Sequence, residues 1–206
     1  MPSTAVYNMD ANISIITYSG AQLEPYLDDV ARLRIEVFRA FPYLYEGSME
    51  HEQEYLKTYL SSPFAAIVIA QDGHKVVGAS TCIPLVQEPD NVKKPFLEKG
   101  HNLNEIYYYG ESVLLPDYRQ KGIGVAFFEQ RERKARSLSG FKWASFCGVE
   151  RTADHPLKPT DYVPLNHFWR RRGFQQTEMV CYMSWKDINE AAESPKPLRF
   201  WMKELI

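Results

Sequence analysis

Apolar residues recur at helical spacing in the N-terminal part of the chain. Between residue 22 and about residue 40 they lie three, four and one positions apart, which predicts an amphipathic helix. They are Leu23, Leu27, Val30, Leu33, Val37 and Phe38. The segment 41–48, FPYLYEGS, breaks the pattern with a proline and a glycine, and residues 49–60 resemble a second helix. We therefore expect two consecutive helices joined by an aromatic loop.

Runs of branched and aromatic residues bounded by turn signals predict the strands of a sheet. Asp72 and Gly73 form a strong hairpin signal between residues 64–71 and 75–85. Residues 87–104 are polar and contain proline and lysine, so we expect a surface loop there. The other predicted strands are Ile13–Tyr18, 105–115, 141–149, 174–185 and 197–205.

Two more helices are predicted in the C-terminal half. One follows the sequence RQKGIG and runs to about residue 139. The other covers residues 165–172 and ends before Gly173, in keeping with the frequent glycine after a helix C-terminus. Residues 150–164 are expected to form a loop. The resulting order β-α-α-β-β-β-α-β-α-β-β predicts one α/β domain with a mixed sheet and no second domain.

Composition narrows the class of protein. The chain has 206 residues, of which 45% are hydrophobic and 24% charged, as in ordinary globular domains. Its net charge of -2 gives no general attraction to nucleic acid or to an anionic membrane. No apolar run approaches the ~20 residues of a membrane span, and the opening sequence MPSTAVYNMDANIS lacks a secretory signal pattern. We expect a cytoplasmic protein without nucleic-acid or membrane partners.

The cysteines give no sign of a disulfide framework or a metal site. Cys82, Cys147 and Cys181 are far apart and form no CxxC pattern. Cys147 is followed by Glu150 and His155, so a cysteine nucleophile remains an alternative. A buried strand cysteine is the more common situation. No metal is expected.

The sequence LLPDYRQKGIG, residues 114–124, combines glycines with basic residues before a helix. It is not a P-loop, which needs GxxxxGK followed by Ser or Thr. It is not a dinucleotide fingerprint either, because Phe127 stands at the third glycine position. What remains is an anion site built from backbone N–H groups at a helix start, or an ordinary strand–helix turn with solvated basic residues.

Two motifs together resemble the GNAT superfamily of N-acetyltransferases. The first is Arg119-x-x-Gly122-x-Gly124 after an apolar strand, and the second is HFWRRRGF at residues 167–174. The resemblance implies a single-domain GNAT-like α/β fold over residues 1–206, with residues 1–11 disordered and 197–206 as the last strand. It implies a mixed, mostly antiparallel sheet of about seven strands, splayed at a cofactor slot and flanked by about four helices.

The same resemblance implies acetyl-CoA as cofactor and assigns its contacts. Backbone groups of the strand before the turn would meet the pantetheine arm, N–H groups of the turn would cradle the pyrophosphate, and the later helix would flank the thiol. These residues are Val113, Leu114, Leu115, Arg119, Gln120, Lys121, Gly122, Ile123, Gly124, Val125, Asn166 and Phe168.

An amine attacks a thioester only when it is neutral, so a base must accept its proton at neutral pH. Glu111, a carboxylate in an otherwise apolar strand, is the candidate base. The alternative is a glutamate that faces solvent or a sheet edge, or one that is paired structurally with an arginine. The family often places a tyrosine acid where this chain has Trp169. Indole cannot usefully deliver a proton, so Tyr162 or Tyr118 would have to replace it, or the thiolate leaves unaided.

The acceptor side is expected to be lined by aromatic residues, which suit a small cationic or aromatic primary amine. The aromatic candidates are Phe41, Tyr43, Tyr45 and Tyr109, and Cys147 is a further candidate on the acceptor side. The leading hypothesis is a monomeric or homodimeric N-acetyltransferase that works by direct attack in a ternary complex. The alternatives are a CoA-binding module without catalysis and a cysteine-nucleophile amidase that uses Cys147.

Overall fold

The structure, a computed structural model, describes residues 13–205, so the disorder expected for residues 1–11 lies outside the described part. Seven strands and five α-helices are found in residues 13–205. The strands are β1 (Ile13–Tyr18), β2 (Ala66–Asp72), β3 (Lys75–Pro84), β4 (Ile106–Leu114), β5 (Trp143–Val149), β6 (Gln175–Trp185) and β7 (Ser194–Glu204). The helices are α1 (Leu27–Phe38), α2 (Met49–Ser61), α3 (Asp90–Glu98), α4 (Ile123–Ser137) and α5 (Asn166–Arg170).

The described residues divide into two compact units, and the boundary between them passes through α1, β3 and β4. The first unit contains the residues up to Val37 together with Gly47–Ile83 and Tyr109–Ser139. The second contains Phe38–Glu46, Pro84–Tyr108 and the residues from Gly140 onward. Each unit has its own strands and helices.

The first unit is a sheet of β1, β2, β3 and the second part of β4, in that order. β1 pairs with β2 and β2 with β3, both antiparallel. The predicted hairpin is confirmed, with Asp72 opposite Lys75 and Gly73 at a φ of 57°. Helix α4 packs on β1 and β2, and the Thr17 hydroxyl donates to Gln130 across that contact at 3.1 Å. The sheet and α4 thus share one apolar core.

The strand order in the second unit is β4, β5, β7 and β6, with the first part of β4. β5–β7 and β7–β6 are antiparallel, whereas β4 and β5 are parallel. The β4–β5 pairing covers the three residues Ile106–Tyr108 opposite 143–145, although both strands are longer. The prediction of a mixed, mostly antiparallel seven-stranded sheet is confirmed.

Two helix predictions need correction. Residues 87–104 are not a loop, because helix α3 occupies Asp90–Glu98 and buries Val92 and Phe96 one turn apart. The helix predicted from residue 22 begins later, at Leu27, and a 3-10 turn over Gly20–Tyr26 containing Pro25 precedes it. No helix within residues 13–205 is both long enough and apolar enough to cross a membrane.

Candidate functional site

The turn between β4 and α4 has a backbone that few sequences adopt. A 3-10 turn, Pro116–Tyr118, follows the strand, and Gln120 then takes a φ of 62°. Gly122 takes a φ of 81° and is the N-cap of α4. Left-handed conformations cost little for glycine and are uncommon for other residues. Gly122 therefore lets the chain turn sharply into the helix.

The same turn leaves a row of backbone donors unused. The first helical hydrogen bonds of α4 run from the N–H groups of Val125 and Ala126 to the Gly122 carbonyl, at 2.9 and 3.1 Å. The N–H groups of residues 120–124 donate to no other residue of the described chain, and no side chain caps the helix. Successive free N–H groups at a helix N-terminus form a site for an anion such as phosphate.

Contacts within the first unit fix this turn. The Tyr118 hydroxyl donates to the Asp72 carboxylate at 2.8 Å, which raises the pKa of Tyr118 and weakens it as an alternative acid. The Arg119 Nε donates to the Leu114 carbonyl at 3.3 Å. The Lys121 ammonium lies 5.2 Å from the centroid of the Tyr118 ring. Arg119 and Lys121 are exposed, so both cations are accessible to a ligand in solution.

The three strand residues expected to contact a pantetheine arm are partly engaged by the protein itself. The Leu115 N–H donates to the Val77 carbonyl at 3.0 Å, and the Leu114 carbonyl accepts from Arg119. Val113 is fully buried, and its carbonyl lies 3.1 Å from the position of a Cβ on Gly78. The residues lie at the end of β4 as expected, but a ligand would have to share their polar groups.

Glu111, the candidate base, is held in a buried cluster of the first unit. Its side chain is 6% exposed, and its Oε1 lies 2.7 Å from Arg34 NH1. Its Oε2 accepts a hydrogen bond from the Tyr55 hydroxyl at 3.0 Å. Arg34 also pairs through its Nε with Glu52, which is fully buried. One guanidinium therefore faces two buried carboxylates. Glu111 Oε2 accepts a hydrogen bond, whereas Oε1 lies at ion-pair distance from Arg34 without accepting a hydrogen bond from the described residues.

The charge of this cluster favours a protonated Arg34. Burial by itself lowers the pKa of Arg34, but the adjacent charges of Glu111, Tyr55 and Glu52 outweigh burial and raise that pKa well above its ordinary value. Sequence reasoning missed Arg34, Glu52 and Tyr55, since nothing in their helices marks them as partners of a distant strand residue.

Tyr109, expected on the acceptor side, is fully buried. The guanidinium of Arg131 on α4 lies 4.4 Å from the centroid of its ring. Burial raises the pKa of Tyr109 and lowers that of Arg131 to about 10. This side chain packs inside the first unit, which argues against direct contact with an acceptor.

The second unit brings together two of the predicted site residues, Phe41 and Tyr162. Their rings meet edge to face with centroids 4.7 Å apart, and the His155 ring lies 5.6 Å from that of Phe41. Tyr162 is half-buried, and burial raises the pKa of its hydroxyl. The three side chains form a small aromatic surface made from two loops.

Tyr43 and Tyr45 are fixed in the same unit by an arginine that sequence reasoning did not single out for this role. Arg151 donates to the carbonyls of Pro42 and Tyr43, both at 2.7 Å, and pairs with Asp187 at 2.7 Å. Tyr45 forms a β-bridge with Asp187. The loop 41–48 is thus held at its backbone by a buried ion pair.

Cys147 is buried on β5, with its sulfur 3.0 Å from the Tyr108 hydroxyl. The hydrogen bond to Cys181 and burial raise the pKa of the Cys147 thiol well above its ordinary value. A thiol kept neutral in this way is a poor nucleophile, so the environment does not support the amidase alternative. No group of three metal-ligating side chains occurs within residues 13–205.

The short helix α5 carries Asn166, Phe168 and Trp169. Asn166 and Phe168 are half-buried, and the guanidinium of Arg172 lies 4.3 Å from the Phe168 ring centroid. Trp169 instead fills the space over Gly148, where an added Cβ would lie 2.8 Å from its ring. Trp169 therefore has a packing role against β5.

Comparison with known proteins shows that the fold of this chain is similar to the fold of solved acetyltransferases. Neither a protein-family model nor a curated protein sequence matches the chain, but solved structures do. A ribosomal-protein-alanine N-acetyltransferase from Brucella melitensis is 13% identical with a TM-score of 0.60, over 92% of this chain and 99% of the other. A GCN5-related N-acetyltransferase from Kribbella flavida is 14% identical with a TM-score of 0.58, over 93% and 98%.

A third similar structure, named as an acetyltransferase from Salmonella typhimurium, was solved with its cofactor acetyl-CoA. It is 9% identical with a TM-score of 0.57, and the match covers 93% of this chain and 94% of the other. These matches extend over nearly the whole of each chain, so the similarity concerns the complete fold. This chain has the fold of the GNAT acetyltransferases.

Proposed function

We propose that this protein is an acetyl-CoA-dependent N-acetyltransferase of the GNAT superfamily that acts on a primary amine of a small molecule by direct attack in a ternary complex. The row of unused N–H groups over residues 120–124, on a chain with the GNAT fold, carries the proposal. A pyrophosphate fits such a row because the donors and the helix dipole act on the same anion. Bound acetyl-CoA would supply the thioester electrophile.

The residues of the turn would divide the work of binding. N–H groups from Gln120 to Gly124 would bind the phosphate oxygens, and Arg119 and Lys121 would add positive charge at the edge. Glu111 would receive the proton that the amine loses, since it is the carboxylate nearest to the turn along β4.

Thermal unfolding with and without acetyl-CoA tests the proposal. A ligand that binds the folded state at 100 times its Kd stabilises it by about 2.7 kcal/mol, so the melting temperature should rise. Gly124→Glu places a carboxylate in the phosphate site and should abolish the shift. Ser137→Glu adds the same charge at the exposed far end of α4 and should keep it. No shift in the unmodified protein at millimolar acetyl-CoA would refute the proposal.

A CoA-binding protein without catalysis is the second candidate. It is favoured by Trp169 in the place of a tyrosine acid and by the partners on both oxygens of Glu111. Release of free thiol from acetyl-CoA over a panel of primary amines separates the two. Turnover with any amine supports the enzyme, whereas binding without turnover supports the second candidate.

A further inference from the structure

A closed chain of hydrogen bonds begins and ends on Glu111. Its N–H donates to Thr81 Oγ1 at 3.1 Å, and the Thr81 hydroxyl donates to the Tyr59 oxygen at 3.0 Å. The Tyr59 and Tyr55 hydroxyls lie 3.0 Å apart, and the Tyr55 hydroxyl donates to Glu111 Oε2 at 3.0 Å. These four residues are called the hydroxyl ring below, and all of them belong to the first unit.

The direction of every bond in the hydroxyl ring is fixed. A phenol hydroxyl has one proton, and Tyr55 donates its hydroxyl proton in the hydrogen bond to Glu111 Oε2. Tyr59 must therefore donate to Tyr55. The hydroxyl bonds then all point the same way and end on one carboxylate oxygen, an arrangement in which each bond strengthens the next.

The hydroxyl ring leaves no room for a side chain at Gly110. An added Cβ on Gly110 would lie 2.3 Å from Thr81 Oγ1 and 2.6 Å from the Tyr59 hydroxyl. Both are far inside van der Waals contact, and both atoms are buried hydrogen-bonding groups. The glycine before Glu111 is thus the residue that leaves room for the ring.

Tyr55 is the one member of the hydroxyl ring that is not fully buried. Thr81 and Tyr59 are buried, and the Glu111 side chain is 6% exposed, whereas Tyr55 is half-buried. Arg34 occupies Oε1, and its guanidinium also lies 4.3 Å from the centroid of the Tyr55 ring. The other oxygen, Oε2, is the one that Tyr55 covers. A proton that reaches Oε2 from outside meets the Tyr55 hydroxyl first.

We propose that Tyr55 is a catalytic residue that passes the proton of the acceptor amine to Glu111. The inference rests on the function proposed above. As the amine nitrogen forms its bond to the acetyl carbon, its N–H proton moves to the Tyr55 oxygen, and the proton of Tyr55 moves to Glu111 Oε2. Tyr55 is neutral before and after. The bond between the acetyl carbon and sulfur breaks, and the thiolate that leaves takes one proton from water. Glu111 ends as a neutral acid and returns its proton to solvent by the same route.

Steady-state kinetics on an amine that the unmodified protein acetylates test the transfer. Tyr55→Phe keeps the aromatic side chain but removes its hydroxyl, so kcat should fall by about 100-fold with the KM for acetyl-CoA unchanged. Tyr26→Phe is the matched control, because Tyr26 also donates a hydroxyl bond in the first unit, to Tyr18 at 2.8 Å. That variant should keep full kcat. Tyr55→Phe combined with Glu111→Gln should be no slower than Glu111→Gln alone, since both act on one proton.

The hydrogen bond from Tyr55 to Glu111 can also be measured without turnover. The infrared carboxylate band of Glu111, obtained as the difference between the unmodified protein and Glu111→Gln, should shift in Tyr55→Phe because a donor to Oε2 is lost. An unshifted band overturns the proposal. So does a kcat in Tyr55→Phe within about 3-fold of the unmodified protein, or multiplicative losses in the double variant. Failure of the unmodified protein to acetylate any amine would instead refute the proposed function, and this inference with it.

Discussion

Arg34 is the position where a single substitution should affect the candidate site most. Arg34→Met keeps most of the side-chain volume but removes the cation that pairs with both Glu52 and Glu111. Arg34 lies on the buried side of α1 with its side chain 13% exposed. The substitution therefore leaves two carboxylates buried without their cation.

The expected cost follows from that burial. Removal of one partner of a buried ion pair costs about 3–5 kcal/mol, because the remaining charge has lost its compensation. Arg32 on the same helix is the matched control. Its side chain is 42% exposed and pairs with Asp29 and Glu36, and exposed pairs contribute about 0–1 kcal/mol. Arg34→Met should thus reduce the free energy of unfolding several times more than Arg32→Met.

Urea unfolding followed by circular dichroism measures both variants. Glu52→Gln should recover part of the loss when it is added to Arg34→Met, because it removes one of the two uncompensated charges. If Arg34→Met and Arg32→Met cost the same within about 1 kcal/mol, the buried cluster does not contribute the stability assigned to it. The same holds if Glu52→Gln makes the Arg34 variant less stable.

Two further predictions concern the second unit. The hydrogen bond from Lys196 lowers the pKa of Glu190 to about 2. Glu190 therefore contributes stability that is fully present above about pH 4.5 and is lost as the pH falls toward 2. Because the Glu190 side chain is 34% exposed, this contribution is about 1 kcal/mol after solvent screening. Urea unfolding at pH 3 and pH 6 should therefore show a smaller acid loss for Glu190→Gln, and equal losses would contradict the assignment. Gly148→Ala should destabilise the protein by about 1–3 kcal/mol through overpacking, because the added Cβ would lie 2.8 Å from the Trp169 ring. Trp169→Phe, added to Gly148→Ala, should recover part of that loss in urea unfolding. Additive effects of the two substitutions would contradict the packing role of Trp169.

Sequence patterns were reliable where the structure depends on local spacing. The strand Ile13–Tyr18 has the predicted bounds, and the hairpin at Asp72 and Gly73 forms as expected. Alternation of side chains and a turn that favours glycine are properties of neighbouring residues, so they can be read without knowledge of the fold.

The missed helix shows where such reading fails. Pro95 lies inside α3, and the segment around it is mostly polar, so local preference predicted a loop. Val92 and Phe96 are nevertheless buried. Packing against β6 stabilises the helix, and that contact involves residues far away along the chain.

In the candidate site, too, some features depend on neighbouring residues and others on contacts between distant parts of the chain. The sequence alone determined the turn after β4, because a positive φ at Gly122 and a helix start at Ile123 depend on residues next to each other. It also singled out Glu111 as a carboxylate in an apolar strand. Only the tertiary structure decided the surroundings of that carboxylate. Arg34 and Tyr55 reach it from two different helices, and contacts between side chains distant in sequence exist only once the helices have packed on the sheet.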